Sequence, residues 1–198
     1  MTTATAVAAH RAEFFKLVEG VRCSRGRDLL KLAPWIDLAI DTLADVKAAR
    51  GRMYIIGNGA SCSMASHIAV DFTKGAGIPT SACNEGALLT CFSNDFSYEV
   101  AYAEILRCVM NDGDALIAIS SSGQSANILN ATRLVKDAYA RSAVITFSGF
   151  AEDNPLRRSG DLNLYLAAGE YGLVESGHAY YLHMLLDLFV ERERTRDG

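Results

Sequence analysis

The sequence holds no long basic run, no CxxC pair and no apolar stretch of membrane-spanning length. With a formal net charge of −4, it offers a nucleic acid no electrostatic footprint, so no nucleic-acid partner is expected. Its most apolar stretches are too short, or too often broken by charge, to cross a bilayer, so no membrane partner is expected either. The N-terminus MTTATAVAAHRAEFFKLVEG lacks a basic segment followed by an apolar core. It does not read as a signal peptide, and the expected location is cytoplasmic. Cys23, Cys62, Cys83, Cys91 and Cys108 are odd in number, and buried free thiols in a reducing compartment fit them better than a disulfide framework.

What is present describes a globular α/β protein. Half of the 198 residues are apolar and 21% are charged, enough for a full core, and one domain over 1–198 is the simplest allocation. Residues 1–50 are expected to be helical throughout, with one apolar-periodic stretch in AEFFKLVEGV and a second in PWIDLAIDTLADVKAA, where Pro34 falls in the first turn. This extension is expected to pack on the main body or on another subunit. After Gly51 the rhythm changes. MYII at 53–56, ALIAI at 115–119 and SAVITF at 143–148 read as buried strands. IPTSAC is a weaker one, and the alternating DLNLYLA at 161–167 suits a place nearer an edge.

Between the strands, helices are expected from Ser61 to Lys74 with Gly75 closing it, over 97–109, and after SSSGQS. A last helix runs from about Val174, carrying Leu182, Met184, Leu185, Leu188 and Phe189, to the charged tail ERERTRDG. Wholly apolar strands separated by helices predict a doubly wound, mostly parallel sheet with helices on both faces, preceded by two N-terminal helices.

Two loops stand where such a sheet binds ligands, at the carboxyl ends of strands. IGNGASCS carries Gly57 and Gly59 but has Cys62 where a dinucleotide fingerprint has its third glycine, and no GK[ST] closes it. That argues strongly against the usual nucleotide loops and leaves backbone amides turned toward an anion or a polar ligand, or simply a tight strand-to-helix turn. ISSSGQS sets Ser120, Ser121, Ser122 and Ser125 around Gly123. Ser125 alone could be an ordinary helix cap. Four hydroxyls in six residues at a helix N-terminus exceed what capping needs and suit a phosphate dianion.

Only four histidines occur. His10 reads as a surface residue, while His67 and Asp71 share one helix face at i and i+4. VESGHAYYLH adds Glu175, His178 and His183. His67, Asp71, Glu175 and His183 would make an N2O2 set suited to zinc. Eight residues of straight helix nevertheless separate the Cα atoms of Glu175 and His183 by about 12 Å. One ion shared by both needs opposed side-chain lean, a distorted first turn near Gly177, or ligands from two subunits. His178 is either a partner supporting a ligand or a packed core histidine.

Taken together, the GNG-S loop, the FSND stretch, ISSSGQS and the terminal ESGH…H helix occur in the order found in the sugar isomerase (SIS) domain family. The chain resembles that family over nearly its whole length, and within it the bacterial phosphoheptose isomerases. The resemblance implies substrate contacts at Asn58, Gly59, Ala60, Asn94, Asp95, Ser120, Ser121, Ser122, Ser125 and Glu175. It implies one Zn2+ per site, ligated at His67, Asp71, Glu175 and His183, with Asp71 and His183 as the acid/base pair. Asp95, in an expected loop, is a third acid/base candidate.

The implied reaction converts D-sedoheptulose 7-phosphate to D-glycero-D-manno-heptose 7-phosphate through a metal-assisted enediolate. The implied assembly is a homotetramer with sites at subunit interfaces. Asp71 and Glu175 stand where the family usually has glutamate and glutamine, and two carboxylates with two neutral imidazoles would balance a divalent cation. The alternatives are an isomerase of another sugar phosphate, a non-catalytic sugar-phosphate-binding protein, and a protein that assists a replication initiator. The histidine–carboxylate set argues against the last.

Overall fold

The computed structural model describes residues 1–196. Its centre is a seven-stranded sheet of order β2-β1-β7-β6-β5-β3-β4. The strands are β1 (Arg22–Arg25), β2 (Asp28–Leu30), β3 (Met53–Ile56), β4 (Thr80–Ser81), β5 (Ala115–Ser120), β6 (Ala143–Gly149) and β7 (Leu162–Leu166). From β4 through β7 every neighbouring pair is parallel, while β1 runs antiparallel to both β2 and β7. Helices α1 (Thr3–Glu19), α2 (Leu32–Ala48), α3 (Ala60–Asp71), α4 (Gly86–Asp95), α5 (Ala101–Val109), α6 (Ala126–Ala138) and α7 (Tyr171–Arg196) complete the order. No helix among the described residues is long and apolar enough to cross a membrane.

The strand sequences explain the two layers. In β3, Met53 and Ile55 join one core cluster while Tyr54 and Ile56 join the other. In β5, Ala115, Ile117 and Ile119 face the first cluster and Leu116 and Ala118 the second. Period-two alternation between two apolar faces is what a parallel sheet covered on both sides requires. Helix α2 lays Trp35, Ile36, Ala39, Ile40, Leu43 and Val46 against the first face, one apolar stripe at helical spacing.

Five expectations need correction. Only α1 precedes the sheet, because residues 22–30 form a hairpin rather than helix. Arg25 pairs with Asp28, leaving Gly26-Arg27 as a two-residue turn in which Gly26 takes φ +55°, a left-handed conformation that glycine adopts without strain. Second, β1 covers β7, so β7 is interior and all five of its residues are buried.

Third, α3 does not run to Lys74. After Asp71 it widens into a π-helical turn, Phe72–Ala76, that ends at the left-handed Gly77. The wider turn keeps Phe72 and Ala76 both in the core and leaves Thr73, Lys74 and Gly75 exposed. Finally, Asp95 ends helix α4 instead of lying in a loop, and the supposed charged tail is helical through Arg196. The last two residues of that tail lie outside the described residues.

Candidate functional site

The glycine loop leaves β3 and turns straight into α3. A Cβ on Gly57 would sit 2.7 Å from atoms of Ser61, and Gly59 takes φ +56°, so the turn requires glycine at both positions. The buried Tyr102 hydroxyl donates to the Gly57 carbonyl at 2.7 Å. The amides of Asn58 and Asn127 exchange two hydrogen bonds, both 2.9 Å, and the Tyr98 hydroxyl donates to Asn58 Oδ1 at 2.8 Å.

The serine loop follows β5. Ser120 and Ser121 are buried, and the Gly123 amide donates to the Ser120 carbonyl (3.0 Å) and hydroxyl (3.2 Å). Gly123 has φ +65°, and a Cβ there would overlap the amide of Asn154. Ser125 occupies the N-cap position of α6 without making a side-chain cap bond; its hydroxyl meets that of Ser120 at 3.2 Å. Ser122 Oγ accepts from Gln124 N at 3.2 Å. Ser121 Oγ is buried with no hydrogen-bond partner among the described residues, and such a group costs free energy until something pairs with it.

These two loops close around one cavity of about 220 Å³. It is lined by Asn58, Gly59, Ala60, Ser120, Ser121, Ser122, Ser125 and Glu175, all expected from sequence, together with Ser61, Ile119 and Tyr171, which were not. Ser61 carried a signal that went unused: it is the first hydroxyl after the glycines, on the opening turn of α3. Tyr171 carried none, since it precedes any apolar periodicity of α7. The opening of α6 turns free backbone N–H groups and the positive end of a helix dipole toward this end of the sheet.

The histidine cluster is separate. His67 Nε2 lies 3.3 Å from Asp71 Oδ2 along α3, and His183 Nδ1 on α7 lies 4.0 Å from the same oxygen. The two imidazoles meet edge-on at 5.3 Å. One donor atom from each residue falls within 4.8 Å of the others. Two imidazole nitrogens and a carboxylate oxygen at this spacing fit a zinc-like divalent cation with an open position. The cluster borders an open groove lined by Asp71, Lys74, His183, Asp187, Glu191 and Arg194, among others.

Glu175 is not part of that cluster, for α7 is continuous from Tyr171 and Glu175 faces the serine cavity. His178, between them, is fully buried. Its Nε2 lies 3.1 Å from the Ser148 carbonyl and its ring stands edge-on to Phe147. Burial lowers its pKa to about 4, opposed in part by the Ser148 hydrogen bond, so it is the packed core histidine. Asn94 and Asp95 are exposed at the end of α4, bonded to each other (3.1 Å), and neither lines the cavity within one chain.

The SIS domain family model matches residues 27–148. The phosphoheptose isomerase of Sodalis glossinidius is 31% identical over 169 residues, 82% of this chain and 85% of that one. The phosphoheptose isomerase of Serratia proteamaculans is 32% identical over 168 residues, 81% and 84% of the two chains. In three dimensions the chain is similar to the phosphoheptose isomerase of Neisseria gonorrhoeae, with a TM-score of 0.80 at 22% identity, covering 95% of this chain and 99% of that one. The corresponding structure from Francisella tularensis gives a TM-score of 0.79 at 20% identity, covering 96% and 100%.

Proposed function

This chain belongs to the SIS domain family, and from that premise we propose that it is an aldose–ketose isomerase converting D-sedoheptulose 7-phosphate to D-glycero-D-manno-heptose 7-phosphate. The observation that carries the proposal is the buried, unpaired Ser121 hydroxyl in a cavity shared by both loops. Hydroxyls and helix-terminal amides there bind the phosphate. Glu175, in the same cavity, accepts hydrogen bonds from sugar hydroxyls. The eight-residue step along α7 from Glu175 to His183 spans about 12 Å, the reach of an extended sugar phosphate rather than of one ion's coordination sphere.

The reaction moves one proton from C1 to C2 of the ketose, while the proton on O1 passes to O2. Asp71 and His183, 4.0 Å apart, divide the carbon-to-carbon transfer between them. His67, against Asp71, holds that carboxylate in place. His67, Asp71 and His183 would hold a divalent cation, which when bound supplies a Lewis acid for the substrate's oxygens; the His183 nitrogen that moves the proton is then the one not bound to it. The serine-held phosphate sets the register of the chain, so that binding energy at one end orients C1 and C2 at the other.

All three cluster side chains are substantially exposed, and Asn94 and Asp95 stand away from the cavity. A homotetramer whose neighbouring subunit covers the groove accounts for both. The test is to compare kcat/KM for sedoheptulose 7-phosphate with that for pentose and hexose phosphates. The heptulose phosphate is expected to be preferred. Preference for a shorter sugar overturns the substrate assignment, and no turnover of any of them overturns the isomerase assignment.

A further inference from the structure

Asn127 is buried at 2% exposure on the first turn of α6, yet it does not line the serine cavity. Its side chain is committed to a single purpose. Asn127 Oδ1 accepts from the Ile128 backbone N–H at 3.0 Å and from Asn58 Nδ2 at 2.9 Å. Its Nδ2 donates to Asn58 Oδ1 at 2.9 Å.

These contacts fix both amide orientations. The Ile128 N–H is shared between the Ser125 carbonyl at 3.1 Å and the Asn127 side chain, and it can face only an oxygen, which sets the Asn127 amide. The reciprocal pair then sets Asn58. With Oδ1 of Asn58 taken by Asn127 and by the Tyr98 hydroxyl, the one side-chain group Asn58 has left is a single N–H on Nδ2.

We propose that Asn127 is a positioning residue that locks the two ligand loops together and presents Asn58 to the substrate as a hydrogen-bond donor. This rests on the cavity being the sugar-phosphate site. The group meeting the Asn58 side chain is therefore an acceptor, a phosphate or hydroxyl oxygen. Because Asn58 belongs to the loop after β3 and Asn127 to the helix after the serine loop, the pair also fixes the spacing between the two loops.

The test uses Asn127→Asp and Asn127→Leu in the full-length protein, measured below each variant's melting temperature. Asn127→Asp keeps the shape and the acceptor and loses the donor. It should raise KM about tenfold with kcat little changed, because a donor facing Asn58 Oδ1 has become a second acceptor. The variant-to-wild-type ratio of kcat/KM should recover as the pH falls from about 8 toward about 5, since burial at this position raises the carboxyl's pKa and its protonated form donates again. Asn127→Leu should raise KM similarly with no such recovery, which separates lost alignment from a buried charge.

Unchanged KM in both variants overturns the proposal, and so does an equal loss in kcat that ignores pH. The wild type is measured first. Absence of turnover with every sugar phosphate counts against the isomerase assignment alone. The variants are then compared by their dissociation constants for inorganic phosphate, and equal affinity in wild type and both variants overturns the role of Asn127.

Discussion

Ser120 ends a strand buried on both faces, Ser121 follows it and both are buried, whereas His67, Asp71 and His183 meet on the outside of two packed helices with side chains 63%, 32% and 43% exposed. The first region is held by the sheet, by glycines that any larger residue would strain, and by hydrogen bonds from Tyr102, Asn127 and Tyr98. The second is held by the packing of α3 on α7, with the π-helical turn following directly after Asp71. A buried polar loop is expensive to disturb, so it arrives pre-organised. Exposed ligands are cheap to alter and gain their strength only when something dehydrates them, such as a cation, a substrate or a second subunit.

That contrast predicts opposite responses to mutation. The largest effect is expected at the open cluster. Asp71→Asn or His183→Ala should lower kcat by about 10²- to 10⁴-fold and leave the melting temperature nearly unchanged, as steady-state kinetics beside thermal unfolding would show. Equal losses of stability there would break the contrast.

Between the two regions on α7, His178 should dominate the acid limb of stability. Its folded pKa is depressed from 6.5 to about 4 by burial. The unfolded chain therefore binds a proton in that window and the folded one does not, so stability is fully present above 6.5 and is lost as the pH falls toward 4. The loss approaches roughly 3 kcal/mol. Urea titrations across this range check it, and a flat profile would contradict the burial of His178.

Inside the serine loop, Gly123→Ala should cost about 2 kcal/mol and weaken phosphate binding with it, because the residue has φ +65° and its Cβ would meet Asn154. Ser121→Ala is the sharpest contrast and the smallest change. Removing an unpaired buried hydroxyl should leave the melting temperature unchanged or raise it, while phosphate affinity falls about tenfold. Calorimetric titration with inorganic phosphate reads both variants.

The same division governed what could be read from the amino acids. Both loops and nearly all of the cavity were legible, because strand, glycine, hydroxyls and helix lie within a few consecutive residues. The pairing of His67 with Asp71 followed from helical spacing alone. His183 was grouped with them by residue type and the structure places it there, whereas Glu175 turning instead to the serines depends on where α7 crosses α3, a tertiary fact with no local signature. The hairpin at 22–30 was hidden because Leu29 and Leu30 continue an apolar rhythm that suits a helix as well as a strand. Helix α4 was missed for the opposite reason: it buries none of its residues and so has no apolar face to recognise.

The proposed isomerase site has the serine cavity at one end and the histidine cluster at the other. The most direct test incubates the protein with sedoheptulose 7-phosphate in D2O and follows the proton NMR spectrum, with zinc-supplemented and chelator-treated samples side by side. A growing aldose anomeric signal is expected in the first sample and its loss in the second. A spectrum without that signal in both samples would contradict the isomerase assignment.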